Sequence, residues 1–257
     1  QVKTKQPLCD VVVTHFVNPG MLKQIQGGKT PLSIEAHEDV LKHYRVSSLY
    51  LAREVADRIQ SGSLTWAKFG GTHPMPAGNA VARELIVALL GHAWARPLPE
   101  NAGKGAQLLP IKPIDPASFF NGRFLSPGLA KRSDGWKWHV PDWKNIPGSF
   151  RSTFAGMKLL CTDLAGSEVT IEFEGHAIGA YVLAGPDAGV LEISIDGDDY
   201  KRVNLYHQYS RGLHYPRTVM FATDLKPGKH TAQIRLALPK RSTTGNRTAR
   251  ILQFTAN

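Results

Sequence analysis

The first part of the chain alternates between apolar runs and stretches with helical periodicity. Asp10 to Val17 is almost continuously apolar, which predicts a strand covered on both faces, as parallel strands usually are. The turn signal Asn18-Pro19-Gly20 is expected to end that strand. Thr30-Pro31 is typical of a helix start, and Val46 to Leu51 predicts a second, shorter strand. These elements indicate a parallel sheet with helices between its strands.

A further helix, a loop and a last helix complete this part of the chain. Val55 and Ile59, four residues apart, start an amphipathic helix that is predicted to stop at Ser61-Gly62. The final helix follows the loop Thr72 to Gly78. This order of elements is that of an α/β domain over residues 1–91. Two strands are too few for a doubly wound sheet, so we expect an upstream segment or a separate chain to complete it.

Residues 92–147 show neither helical nor strand periodicity and are rich in proline and glycine. Such a stretch is typical of a connector. It also contains more aromatic residues than a solvated linker would, namely Phe119, Phe120, Phe124, Trp136, Trp138 and Trp143. We therefore expect a connector that packs against the domains on both sides of it.

Residues 148–257 have the alternating pattern of β-strands. Val169, Ile171 and Phe173 alternate with polar residues, and Asp196-Gly197 is a strong hairpin signal. Lys226 to His230 is another turn, followed by a second alternating run. Short strands with turn signals about every ten residues predict an all-β sandwich.

The block Phe69-Gly70-Gly71-Thr72-His73-Pro74-Met75-Pro76-Ala77-Gly78 resembles the last conserved block of SGNH (GDSL-type) hydrolases. In that family an Asp-x-x-His-Pro run precedes the final helix. The order of elements across residues 8–91 is similar too. The resemblance implies that residues 1–91 are the C-terminal portion of a flavodoxin-like, three-layer α/β hydrolase domain.

In this family the matching histidine is the catalytic base, so the resemblance implies that role for His73. It would take a proton from a serine nucleophile and return it to the leaving alcohol. The alternative is a histidine that only lines a loop. Two departures bear on the choice: Gly70 stands where the family has its aspartate, and neither Gly-Asp-Ser nor Gly-x-Ser-x-Gly occurs in the chain. We therefore expect the serine to lie outside these residues.

The C-terminal part resembles the jelly-roll modules of carbohydrate esterases, on three short stretches. These are Phe173-Glu174-Gly175-His176-Ala177-Ile178, Ile195-Asp196-Gly197 and Leu225-Lys226-Pro227-Gly228-Lys229-His230-Thr231. Aromatic rings with neighbouring hydrogen-bonding groups suit sugar recognition. The candidates for substrate binding are Trp136, Trp138, Tyr206, His207, Tyr209 and His214. For the tryptophans core packing is the simpler interpretation, whereas for the residues of the 206–215 loop both interpretations stay open.

The net charge of +10 favours an anionic partner, but no nucleic-acid-binding motif accompanies it. The densest basic cluster is Lys240, Arg241, Arg247 and Arg250, and its simplest interpretation is a solvated loop. The two cysteines have no metal-ligand spacing, and we expect no cofactor, no metal and no membrane span. Free thiols are the simpler interpretation, and a disulfide between Cys9 and Cys161 stays open.

Two functions follow from these observations. The first is an ester hydrolase of SGNH type that deacylates a carbohydrate, outside the cytoplasm: secreted, periplasmic or at the cell surface. The second is a non-catalytic carbohydrate-binding or assembly protein with a degenerate hydrolase remnant. Gly70 and the missing serine favour the second function, whereas the intact block around His73 and the unfinished sheet favour the first.

Overall fold

The two periodicities of the sequence fold into two separate units. In the computed structural model these units comprise residues 1–116 and 117–257. The structure describes residues 2–97, 100, 103, 105, 109–110, 112–116, 118–238 and 248–257. Three members of the basic cluster, Lys240, Arg241 and Arg247, lie outside the described residues.

The first unit consists of six helices and a small parallel sheet among its described residues. In chain order these are α1 (Val2–Lys5), β1 (Val12–Thr14), α2 (Pro19–Gln26), α3 (Leu32–Tyr44), β2 (Ser47–Leu49), α4 (Leu51–Gln60), α5 (Trp66–Phe69) and α6 (Pro76–Ala93). Strands β1 and β2 pair in parallel, from Val12 opposite Ser47 to Thr14 opposite Leu49. Both predicted strands are therefore present, although each has only three residues.

Asn18-Pro19-Gly20, which we expected only to end the first strand, forms the start of α2. Asn18 caps α2, because its side-chain Oδ1 accepts a hydrogen bond from the backbone nitrogen of Met21 at 2.9 Å. Pro19 follows in the first helical position, where its missing N–H costs nothing. A polar residue followed by proline and glycine can therefore start a helix as well as end a strand.

The core of the first unit is centred on α4. Leu51, Ala52 and Val55 on that helix are completely buried, and Ile34 of α3 and Phe69 of α5 pack into the same cluster. Burying an aliphatic or aromatic side chain of this size contributes about 1.5–3 kcal/mol. The predicted face with Val55 and Ile59 thus packs into this core, although the helix begins at Leu51, four residues before the predicted start.

The second unit is a β-sandwich of two antiparallel sheets. Its strands are β3 (Arg123–Leu125), β4 (Lys131–Arg132), β5 (Lys137–His139), β6 (Leu159–Thr162), β7 (Glu168–Gly175), β8 (Ile178–Ala184), β9 (Val190–Ile195), β10 (Lys201–Asn204), β11 (Tyr215–Ala222), β12 (Gly228–Leu236) and β13 (Ala249–Ala256). One sheet has the order β10-β9-β12-β7-β4. The other has the order β11-β8-β13-β6-β5, with β3 paired to β13.

Three of these strands lie in the stretch that we expected to be a connector. β3, β4 and β5 pair with β13, β7 and β6, so backbone hydrogen bonds join this part of the chain to the sandwich. Strands of two or three residues are too short to show an alternating pattern in sequence. Aromatic residues in this stretch accordingly contribute to the sandwich, and Trp136 belongs to its main core.

The six-stranded sheet is covered on both faces. Val182 and Leu160 face the main core between the sheets. Their strand neighbours Leu159, Cys161 and Leu183 form a second, smaller cluster with Phe154. Because successive residues in a strand point to opposite faces, this smaller cluster lies on the outer face of the sheet.

The two cysteines are free thiols in different units. Cys9 is exposed, and Cys161 is buried. Burial raises the pKa of Cys161 to about 12, so its thiol stays protonated. Among the described helices, none combines the length and apolar character that a bilayer crossing requires.

The hairpin predicted at Asp196-Gly197 is present. Both residues have positive φ angles, 53° and 87°. Asp196 Oδ1 accepts a hydrogen bond from the backbone nitrogen of Thr231 at 2.8 Å, and Oδ2 lies 2.6 Å from Nδ1 of His230. The other ring nitrogen of His230 lies 2.7 Å from the carbonyl oxygen of Lys226. Both partners are acceptors, so only the protonated imidazole can donate to both.

This pair predicts a pH-dependent contribution to stability. Hydrogen bonding to Asp196 raises the pKa of His230, and the same bond lowers the pKa of Asp196. The stabilisation is complete below the unfolded pKa of histidine and is lost as the pH rises through the raised folded pKa. We expect His230→Gln to lower the melting temperature of the chain more at about pH 5 than at about pH 9.

Lys229→Gln is the matched control, because Lys229 is the exposed neighbour of His230 on β12. Its effect on the melting temperature should not change in the same direction with pH. An equal loss for His230→Gln at both pH values would show that the imidazole acts only as a neutral hydrogen-bonding group.

Candidate functional site

His73 lies at the tip of a short closed loop between α5 and α6. Thr65 caps α5, with its Oγ1 accepting from the backbone nitrogen of Lys68 at 3.2 Å. The loop is closed where the backbone nitrogen of Met75 donates to the carbonyl oxygen of Phe69 at 2.9 Å. Phe69 is completely buried, whereas His73 is exposed. The loop is therefore fixed to the core through Phe69 and holds the imidazole of His73 at the surface.

Gly70 is required by the backbone of this loop. Its φ angle is 102°, in the left-handed region that side chains rarely adopt. A β-carbon at Gly70 would also collide with the backbone nitrogen and the side chain of Met75. An aspartate does not fit here without moving the loop. The conformation of this loop thus excludes an aspartate at position 70, where SGNH hydrolases carry one.

His73 has no carboxylate partner among the residues that the structure describes. None of the ion pairs or hydrogen bonds of these residues involves its ring. Nothing in this part of the chain thus orients the imidazole as an aspartate would. The residues that the structure describes also contain no group of three or more histidine, cysteine or acidic side chains arranged to hold a metal ion.

A second polar cluster in the first unit was not predicted from the sequence. His15 follows β1 and is buried, and its Nε2 lies 2.6 Å from Oε1 of Glu38. A hydrogen bond from Ser48 is the main cause that lowers the pKa of Glu38, and His15 adds to it. The carboxylate thus lies between the serine and the histidine. A serine nucleophile needs the histidine in the middle position, so this cluster does not activate Ser48.

Two of the candidate sugar-binding residues are buried in the second unit. Trp136 is only 3% exposed, and its Nε1 donates to the carbonyl oxygen of Ser167 at 3.1 Å. His214 has no exposed surface, and its Nε2 lies 3.1 Å from the carbonyl oxygen of Pro147. Burial lowers the pKa of His214, and the nearby Arg250 adds to this. Neither ring exposes a face to which a sugar could bind. The expectation that Trp136 and His214 bind substrate is therefore wrong, and both are packing residues.

The remaining candidates lie at or near the surface of the second unit. Trp138 on β5 is 38% exposed, whereas Tyr206 is half-buried and packs against the main core. His207, Tyr209 and Tyr215 form what we call the aromatic cluster, with ring centroids 5.0–5.3 Å apart. Tyr209 is 57% exposed. Of the candidates in the 206–215 loop, the structure brings His207, Tyr209 and Tyr215 together.

The backbone of a 3₁₀ turn holds the aromatic cluster in place. His207 caps this turn, because its Nδ1 accepts from the backbone nitrogen of Tyr209 at 3.3 Å. Ser210 completes the cap by accepting from the backbone nitrogen of His207 at 3.1 Å. His207 also stacks on Tyr215, with an angle of 16° between the rings. The exposed ring of Tyr209 is therefore supported from two sides.

Arg250 does not belong to a solvated basic loop. It lies on β13, is only 5% exposed, and pairs with both carboxylate oxygens of Asp187 at 2.7 Å. Burial is the largest single effect on the pKa of Asp187 and acts to raise it, but the hydrogen bonds and the charge of Arg250, with smaller contributions from His214 and a backbone hydrogen bond, together lower that pKa. The sequence contained no signal for this, because a basic residue in a polar, basic stretch is usually exposed.

No protein-family model and no curated protein matches this sequence. Among solved structures, it is similar to a two-domain esterase active on acetylated mannans and co-crystallised with mannopentaose. The TM-score is 0.70 at 15% identity, over 99% of this chain and 64% of that chain. A second structure of a two-domain esterase active on acetylated mannans gives 0.67 at 16% identity, over 99% and 65% of the two chains. The likeness shows a shared fold, and this chain spans less than two thirds of either structure.

A further structural neighbour is a family two carbohydrate esterase from Cellvibrio japonicus. Its TM-score is 0.35 at 13% identity, over 52% of this chain and 32% of that chain.

The loop geometry predicts unequal costs for two adjacent glycine substitutions. Gly71 is left-handed like Gly70, with a φ angle of 80°, but a β-carbon there meets open space. We expect Gly71→Ala to cost about 1–2 kcal/mol from backbone strain alone. Gly70→Ala adds the overlap with Met75, for about 2–5 kcal/mol in total. Hydrogen exchange of the α6 backbone amides measures both costs. Equal protection in the two variants would contradict the collision at Gly70.

Proposed function

We propose that this chain is part of a serine ester hydrolase of SGNH type that deacylates a carbohydrate, with acetylated mannan as the substrate class. One observation carries the proposal: 99% of the chain matches, at a TM-score of 0.70, a two-domain esterase active on acetylated mannans. The exposed His73 on its closed loop agrees with this function, because a catalytic base has to reach substrate.

His73 acts in this proposal as general base and then as general acid. A serine outside residues 1–257 attacks the ester carbonyl carbon while His73 accepts the hydroxyl proton. The tetrahedral intermediate then collapses, and His73 returns the proton to the sugar hydroxyl that leaves. Water, deprotonated by His73, hydrolyses the acyl-enzyme. Because Gly70 excludes a carboxylate from the loop, the reaction runs on a Ser-His pair or takes a carboxylate from the segment that bears the serine.

The exposed apolar residues of the first unit support a segment beyond this chain. Parallel sheets are normally covered on both faces, yet Val12 in β1 and the following Phe16 are 43% and 47% exposed. Val87 on α6 is 61% exposed, and Trp94, which directly follows α6, is 75% exposed. We propose that a hydrolase segment carrying the serine adds strands to β1 and β2 and covers these residues. A segment of the same chain and a separate chain would both fill this role.

The aromatic cluster is the proposed contact with the polysaccharide. An exposed tyrosine ring presents an apolar face on which the C–H face of a sugar ring packs, and His207 supplies a neighbouring polar group. Acetylated plant polysaccharides are met outside the cytoplasm. We accordingly propose a secreted, periplasmic or cell-surface location.

A second function is favoured by one specific observation. His73 has no carboxylate partner among the described residues, and the loop cannot accept one at Gly70. In a non-catalytic carbohydrate-binding protein the first unit would be scaffold only, and no serine would be needed.

The first test is fluorophosphonate labelling of the native preparation, followed by peptide mass mapping. We expect a labelled serine on a segment outside residues 1–257. Substitution of His73 by Ala should remove the label and lower hydrolysis of acetylated mannan by at least about 10³-fold, because the serine is not activated without its base.

The matched control is His92→Ala, since His92 is an exposed histidine in the last turn of α6. It should leave labelling and hydrolysis unchanged. If intact folded protein takes no label, or if His73→Ala is labelled like the unsubstituted protein, the hydrolase proposal fails and the binding function replaces it.

The aromatic cluster is tested by retention on insoluble mannan. Tyr209→Ala should weaken binding about 3- to 10-fold, the loss expected for one stacked ring. Phe124→Ala is the control, because Phe124 is a similarly exposed aromatic residue outside the cluster. Equal binding by the Tyr209 variant and the unsubstituted chain would rule out the cluster as the contact.

A further inference from the structure

A row of three side chains crosses the outer face of the six-stranded sheet. Lys137 on β5 lies directly opposite Cys161 on β6, which in turn lies opposite Arg250 on β13. Residues opposite each other in neighbouring strands share a face, with β-carbons about 5 Å apart. Two cations therefore flank the protonated thiol of Cys161, which is itself a member of the small apolar cluster.

This row forms the floor of a cavity of about 380 Å³. Residues of the segment from Pro141 to Pro147, which we call the wall segment, line it together with Asp163 and Asp187. Pockets that bind small ligands start at about 300 Å³, so the cavity has room for a sugar residue. All of its lining residues belong to the second unit.

The charged groups of the cavity are only partly satisfied by one another. Arg250 and Asp187 form the buried pair described above. In contrast, Lys137 and Asp163 have opposite charges and line the same cavity, yet neither takes part in an ion pair or a side-chain hydrogen bond with any residue that the structure describes. Their positions leave both groups available to a third partner between them.

The wall segment holds an amide at the same cavity. Asn145 lines it and is fixed by two hydrogen bonds to Asp142, one between backbone groups at 3.0 Å and one from Nδ2 to Oδ2 at 2.7 Å. The carbonyl oxygen of Asn145 remains as an acceptor. Trp143 on the same segment packs edge-to-face against the ring of His214, with the ring centroids 5.0 Å apart. The wall segment is thus held by hydrogen bonds within it and by a ring contact with His214.

We propose that this cavity is a second carbohydrate site that binds a neutral sugar residue. Its two permanent cations match its two carboxylates in number, and His139 adds an imidazole. An anionic sugar would therefore meet Asp163 and Asp187, and a cationic one would meet Lys137 and Arg250. A neutral diol satisfies both signs: one hydroxyl oxygen accepts from Lys137, and a neighbouring hydroxyl donates to Asp163. That the sugar belongs to mannan rests on the proposed function.

The test is titration of the full 257-residue chain with mannopentaose, followed by backbone amide NMR. We expect the amides of Lys137, Asn145 and Asp163 to shift. The variants Lys137→Met and Asp163→Asn should each weaken binding at the shifted amides by at least about 10-fold, as expected for a lost hydrogen bond to a charged group. Both residues are exposed, so neither change empties the core. Lys158→Met removes an exposed lysine outside the cavity and should bind like the unsubstituted chain.

Three results would overturn the site. The first is a set of shifts confined to Tyr209 and Tyr215, with both cavity variants binding normally. The second is no shift at any amide, and the third is tighter binding of trigalacturonate than of mannopentaose. Failure of the proposed hydrolase function is distinguishable, because it would remove the His73-dependent fluorophosphonate label and leave the mannopentaose shifts in place.

Discussion

The hydrogen-bond ladder of β13 is the constraint on which the second unit depends. This strand pairs with β3, β6 and β8, so it joins the first strand of the second unit to two other strands of the same sheet. A register shift between Ile251 and Gln253 lets Ile251 and Phe254 both face the main core, although they are three residues apart. The same pleat sends Arg250 to the opposite face. A strand that closes the core thereby places a buried cation on the outer surface of the sheet.

That placement has an electrostatic consequence. An arginine taken out of water is costly unless a carboxylate and well-aligned hydrogen bonds compensate it, and Asp187 supplies both. Apolar residues cover much of this face, but they cannot cover a charged pair. The face beside Arg250 is therefore polar and open and forms a cavity, because charged groups stay near water or near a ligand that replaces water.

The first unit has the opposite character. Its site is a backbone construction: a capped turn, a left-handed glycine and one hydrogen bond from Met75 to Phe69 hold His73 at the surface. Nothing among the described residues supplies the remaining groups of a serine hydrolase. In the proposed function the two units thus differ in what they contribute, since the first would supply one side chain on a closed loop and the second the surfaces that contact the sugar.

The sequence by itself determined many of the elements and the β-sandwich of the second unit, because apolar periodicity and turn residues act locally, but it did not reveal β3, β4 and β5. The amphipathic helix at Val55 and the hairpin at Asp196-Gly197 are examples. It also singled out His73, through a short motif in one loop. Only the tertiary structure decided which aromatic rings are exposed: Trp136 and Trp138 are two residues apart, yet one is core and the other is partly exposed. It alone brought together Lys137, Cys161 and Arg250, which come from three separate parts of the chain. Such cross-strand neighbours depend on register and pairing order, which local pattern does not specify.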